Sequence, residues 1–277
     1  MVNILPFLKS TVTIMIPIFF AACGGLFPAL AGTLNIALEG LLLIGAFSSL
    51  AVFNFTGSAA AAVASAVFAA VLLSSLHAFS VFKLRANLFI SGIAVNLLSS
   101  GLCIVLSDKI FKTKGVVTAD SGADIFLSFI FTGLFLLVIS WIAIYKTPFG
   151  YRLRACDKNT VALVSLGIKP DHFKIIAILI SGVFCGIGGS FLSINLGAYV
   201  PEMSAGKGWI ALAVIFLGAR KPFGILAAAL LFAFAESFSN YAQGIWSIPS
   251  GLILAFPYVC TLIAMIVVSI IHKKNKI

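Results

Sequence analysis

The sequence predicts an all-α polytopic membrane protein of about nine transmembrane helices, a single domain over 1–277, and three observations predict it. Of 277 residues, 61% are hydrophobic and 9% charged, against about 25% charged in an ordinary soluble domain, and the mean hydropathy is +1.18. Apolar runs near the ~20 residues that cross a bilayer recur from end to end. The basic residues behind the net charge of +10 collect in short stretches between those runs and at the C-terminus. A water-soluble fold is excluded, and soluble enzymes with it. The charge reads as positive-inside topology, not as a nucleic-acid surface.

Apolar segments fall near 11–31, 35–54, 58–82, 87–107, 123–145, 174–199, 207–219, 222–243 and 250–271. Lys83 and Arg85 form one basic loop. Lys146, Arg152, Arg154, Lys158, Lys169 and Lys174 form a second, Arg220 and Lys221 a third, and Lys273, Lys274 and Lys276 a tail. Those thirteen cations face only Asp157 and Asp171. The remaining loops are nearly neutral, with Lys9, Lys109, Lys112, Lys114 and Lys207 against Asp108, Asp120, Asp124 and Glu202. The basic set is therefore expected in the cytoplasm, with the C-terminus. That parity requires 207–219 to cross, short as it is, with its N-terminal side a place for unwound chain. It also puts the N-terminus outside. Gly32, Gly40 and Gly45 would permit a break or re-entrant turn at 35–54, which would bring Lys9 inside instead.

The connection from 146 to 173 is long and amphipathic. Asp157 as N-cap, Ala162, Leu163 and Leu166 at helical spacing and Gly167 at the C-cap position predict a surface helix of about two to three turns. The plainer reading is a helix lying on lipid headgroups; the other is a helix that packs on a partner.

Absent motifs narrow the chemistry. No GxxxxGK[ST] phosphate loop occurs, so hydrolysis of ATP by this chain is not expected. Cys23, Cys103, Cys156, Cys185 and Cys260 are scattered without a CxxC, His77, His172 and His272 lie far apart, and no nucleophile stands beside a base, so neither a catalytic residue nor a metal ligand set is predicted. Phe20-Ala21-Ala22-Cys23 faintly resembles a lipoprotein cleavage box but lacks a basic stretch before it. Gly182-Val-Phe-Cys-Gly186, continued by Gly189 and Ser190, reads as a small-residue face for close helix contact.

Ionisable groups in apparent spans are costly and are functional candidates. Glu39 stands four residues after Asn35 on one helical face, beside Gly32 and Gly40; Asn96 lies in Ser91-Gly-Ile-Ala-Val-Asn96; Glu236 and Asn240 are again four apart, near a span end. Asn35, Glu39, Asn96 and Glu236 are the candidate solute-pathway residues. The alternative is that they hold helices together by hydrogen bonds, or, for Glu236, that it reaches water.

Four stretches resemble the permease subunits of ABC importers for branched-chain amino acids, ribose and nucleosides, the nucleoside branch in particular. Gly32-Thr-Leu-Asn-Ile-Ala-Leu-Glu-Gly-Leu-Leu-Leu-Ile-Gly-Ala46 and Ser91 to Asn96 are similar to two span motifs of that family. Thr147 to Ile168 resembles its T-P-F-G-x-x-x-R-A-x-G-x-N-x-x-A-x-x-x-G-I loop, and Trp209 to Gly224 the end of its domain. The likeness runs over about residues 20–235. Asp157 departs from it, standing where the family usually has Gly; Thr160 stands where it often has Pro, and Pro28-Ala-Leu replaces a charged turn.

The resemblance implies a coupling helix in the 146–173 loop, with Gly150, Arg154, Ala155, Asn159, Ala162 and Gly167 at the matching positions, docked on an ATP-binding subunit. It implies two such ATPase subunits, which use ATP-Mg while this chain binds no cofactor. It further implies a second, related permease and an extracytoplasmic substrate-binding lipoprotein, in a bacterial cytoplasmic membrane. Nucleoside is the expected solute, with riboflavin or a sugar such as ribose as alternatives. From other classes, a proton-coupled secondary transporter would use Glu39 or Glu236 as its carrier; a passive channel would need no coupling loop. A weak internal echo, Ile36-Ala-Leu with Ile44-Gly-Ala and Ile210-Ala-Leu with Leu217-Gly-Ala, fits a repeated architecture.

Overall fold

A computed structural model describes residues 4–119 and 125–243; the expected last span at 250–271 and the basic tail lie outside the described residues. The described chain is mostly helical: α1 Ile4–Leu30, α2 Leu38–Thr56, α3 Ala59–Phe82, α4 Leu88–Phe111, β1 Val117–Thr118, α5 Phe126–Lys146, α6 Pro148–Lys158, α7 Thr160–Ser165, α8 Pro170–Leu196, β2 Ala198–Tyr199, α9 Lys207–Leu217 and α10 Pro222–Gln243. Among the described residues, seven helices are long and apolar enough to cross a membrane: α1, α2, α3, α4, α5, α8 and α10. α9 is apolar but only eleven residues long, about 16 Å at 1.5 Å per residue, or half of a hydrocarbon core.

The bundle is built around α8, which packs on α1, α2 and α3. The approach depends on its small-residue face. A Cβ at Gly186 would stand 2.6 Å from the Val67 Cα on α3, and one at Gly189 would overlap the Leu42 carbonyl on α2. Without a hydrophobic drive between helices in lipid, such backbone-close packing supplies the association. α1, α2 and α8 are mostly enclosed, whereas α3, α4 and α5 are mostly exposed.

The three basic stretches of the described chain lie together at one end. Arg220 pairs with Asp157, Gly32 lies against Asp157, and Lys83 and Asp171 line one groove between α3 and α8. At the opposite end β1 and β2 form a two-residue antiparallel ladder, Val117 against Tyr199 and Thr118 against Ala198, and the Phe55 and Phe111 rings stack at 6.0 Å.

Several boundaries differ from the sequence expectation. α1 begins at Ile4, so Lys9 is helical, its ammonium 5.9 Å from the Phe126 ring. The surface helix is two helices: Thr147 caps α6, Asn159 caps α7, and Asp157, expected as the cap, is the penultimate residue of α6. Pro148 at the first position of α6 and the Thr147 side chain accepting from Gly150 N–H explain the earlier start. Gly167, at φ +75°, ends the pair as expected.

Candidate functional site: two helix ends meeting inside the bundle

Two interruptions bring polar groups into the interior. The chain leaves α1 at the basic end, turns at Gly32 (φ +75°) and runs without helix to Ala37, where α2 begins. Asn35 within this stretch donates to the Ser181 hydroxyl at 2.6 Å, and Ser181 is the twelfth of the 27 residues of α8, so the break reaches the middle of the bundle. The second interruption follows β2: residues 201–206 are turns, and only then does α9 run to Arg220 at the basic end. The stretch from β2 to the basic end is thus part unwound and part helical.

A helix that starts inside hydrocarbon exposes N–H groups that nothing else can satisfy. Neither Ala37 nor Gly206, the two N-caps, bonds through a side chain of its own. Both helices are capped from elsewhere. Asn96 of α4 accepts the Gly40 N–H of α2 through Oδ1 at 2.8 Å and donates through Nδ2 to the Ile36 carbonyl at 3.0 Å, while Ser99 donates to the Gly40 carbonyl at 2.6 Å. Glu39 of α2 accepts from Gly206 N–H through Oε1 at 2.8 Å and from Gly208 N–H through Oε2 at 2.7 Å, which caps α9. A carboxylate there also meets the positive end of the α9 dipole. Gly208 is required: any Cβ would overlap the Glu39 backbone.

Asn35 is 1% exposed; its Oδ1 accepts the Ala37 N–H at 3.0 Å. Glu39 and Asn96 are half-buried. Asn35, Glu39 and Asn96 are therefore brought together around the first break, each in hydrogen bonds that join elements. Glu236 is not in this cluster. It lies half-buried on α10. Asn240 lines a separate surface cavity of about 340 Å³ with Phe7, Ser10 and Tyr241.

Sequence reasoning missed the partners. Ser99 and Ser100 follow Asn96 on α4, and Ser100 donates to the Glu202 carboxylate in the unwound stretch. A serine, glycine or backbone amide carries no sign of such a role when read alone. His77, which the sequence left without a task, is fully buried and bonded through Nδ1 to the Ser91 hydroxyl at 3.0 Å.

Of the expected coupling residues, Gly150 is buried, and a Cβ on it would overlap the carbonyls of Ala143 and Ile144. Arg154 is half-buried: its guanidinium lies 5.1 Å from the Tyr145 ring and 5.0 Å from the Tyr151 ring, and Nε donates to the Gly150 carbonyl at 3.3 Å. Ala155 and Ala162 are half-buried, and Asn159 is exposed, its Oδ1 accepting the Ala162 N–H at 3.3 Å. Burial pushes the Cys156 thiol up. α7 and its C-cap expose Val161 (81%) and Leu166 (74%) beside the polar Thr160 and Ser165.

Interrupted helices whose inner ends are capped at mid-bundle define a multi-pass membrane transport protein. The family model described as branched-chain amino acid transport system / permease component matches residues 7–271, and the chain belongs to that family. It is 33% identical to the guanosine ABC transporter permease protein NupQ of Bacillus subtilis (strain 168), over 92% of this chain and 89% of that protein. It is 32% identical to the nucleoside ABC transporter permease protein NupC of Lactococcus lactis subsp. cremoris (strain MG1363), over 90% of this chain and 87% of that protein. Among solved structures, PsaBC from Streptococcus pneumoniae in complex with Fab shares the fold, with a TM-score of 0.54 and 15% identity over 93% of this chain and 90% of that one.

Proposed function

We propose that this permease component is the membrane subunit of an ATP-driven importer for nucleosides, docked through α6 and α7 on separate ATP-binding subunits. The observation that carries the reading is the outward side of α7 and its C-cap, where Val161, Val164 and Leu166 are exposed and only Leu163 of the six helical residues is buried. A helix this short does not hold on its own, and its apolar side calls for a protein groove. Its place at the basic end puts that groove in the cytoplasm by the positive-inside rule. The C-terminus then lies inside and the N-terminus outside.

Solute choice is inferred from NupQ and NupC, whose names give guanosine and nucleoside. The amide of Asn96, the carboxylates of Glu39 and Glu202 and the hydroxyl of Ser100 suit a ligand with hydroxyls and ring edges, and Trp209, next to Gly208 in sequence, is half-exposed. A second, related permease would cover this side and complete the pathway, an extracytoplasmic lipoprotein would deliver the solute, and ATP-Mg would be spent by the partner subunits. The rocking of two such bundles about the midplane would alternate access.

The test is purification of the tagged chain in mild detergent, with co-purifying proteins identified and ATPase activity assayed with and without guanosine, other nucleosides, riboflavin and ribose. An ATP-binding subunit, a second permease and stimulation by nucleosides are expected. A lone chain that takes up solute under a proton gradient would replace this reading with a secondary transporter.

A further inference from the structure

We infer that Asp157 is a positioning residue that passes movement of α6 to the two inner helix ends. The inference rests on the docking of α6 and α7 proposed above. Asp157 accepts from the Arg220 guanidinium at 3.4 Å, and its carboxylate and Cα pack directly on Gly32, where a Cβ would come within 2.7 Å of Oδ1. One side chain on α6 therefore touches the start of the first break and the turn that ends α9.

The Arg220 turn is built to hold this aim. Ala219 and Arg220 are both left-handed, at φ 53° and 55°, a costly conformation for residues with a Cβ. It is fixed by Ala219 N–H on the Phe216 carbonyl and Arg220 N–H on the Ile215 carbonyl, both at 3.0 Å, and Arg220 lies over the Phe216 ring at 5.6 Å. From that turn α9 leads to Gly206 and Gly208, whose N–H groups Glu39 holds; from Glu39 the chain returns through Asn35 to Gly32. The contacts close a ring: Asp157, Arg220, α9, Glu39, the Gly32–Ala37 stretch, and Asp157 again. A shift of α6 acts on both interruptions at once.

An exposed ion pair contributes little to stability, so its loss should leave folding intact and show in coupling. In the assembled importer reconstituted in liposomes, Asp157→Ala and Arg220→Ala are each expected to lower solute taken up per ATP hydrolysed about threefold, the scale on which residues along a coupling route act. Co-purification of the ATP-binding subunit should be unchanged. Arg220→Lys, which keeps the charge, should recover most of the ratio. A wild-type ratio in both alanine variants, or an Arg220→Lys variant no better than Arg220→Ala, would overturn the inference while leaving the docking reading standing. Absence of the ATP-binding subunit from the wild-type preparation would instead remove the docking reading itself.

Discussion

A carboxylate inside a span costs about 2.5 to 3.5 kcal/mol on insertion scales, and at position 39 that cost is offset by two backbone N–H groups of another helix. Hydrogen bonds to a charged group are worth about 1.5 to 3 kcal/mol. Glu39→Gln leaves one acceptor oxygen for two donors, and Asn96→Ala strips the Gly40 N–H and the Ile36 carbonyl of their shared partner. Both variants are expected to reduce uptake several-fold while the complex still assembles, measured as vesicle uptake beside complex yield. Normal uptake in both would refute a pathway role for this cluster. At this scale the sequence was informative about one side of each contact. Asn35, Glu39 and Asn96 stood out because polar groups in apolar runs are conspicuous. Their acceptors and donors, Gly206, Gly208 and Ser181, did not, because a backbone amide looks the same at every position.

Among the elements, α9 and the α6–α7 pair show what periodicity reveals and what it hides. The shortness of 207–219 was visible as too few apolar residues, and the unwound stretch before it followed from the charge parity of the loops. The break at Asn159 was not visible, since Asp and Asn are equally good capping residues and the sequence alone does not say which of the two takes the Ala162 N–H. Arg154 shows another contact that spacing alone does not give: its guanidinium lies between the rings of Tyr145 on α5 and Tyr151 on α6. Docking should therefore be probed where α7 is exposed. Val161→Asp and Leu166→Asp touch nothing in the interior, so the chain should accumulate normally while recovery of the ATP-binding subunit falls sharply. Retention of the subunit by both variants would count against docking through α7.

For the whole molecule, Lys83, Asp157 and Arg220 gather at one end of the bundle. The orientation in the membrane has a direct check. The four described cysteines are buried, so with Cys260 replaced the background to a thiol reagent is low. Val116→Cys should react with an impermeant maleimide in intact cells, and Lys158→Cys only after permeabilisation; the opposite pattern would invert the topology.

The trans cap on α9 has a consequence for how the chain is made. Glu39 leaves the ribosome 167 residues before the amide it caps, and until the two meet, α9 is a half-length helix with unpaired donors at its inner end. It cannot settle in lipid as an independent span. Its insertion has to wait for α1, α2 and α8 to be assembled, so α9 is laid onto a core already formed, and damage to the Gly32–Ala37 stretch should surface as a failure of α9 to insert.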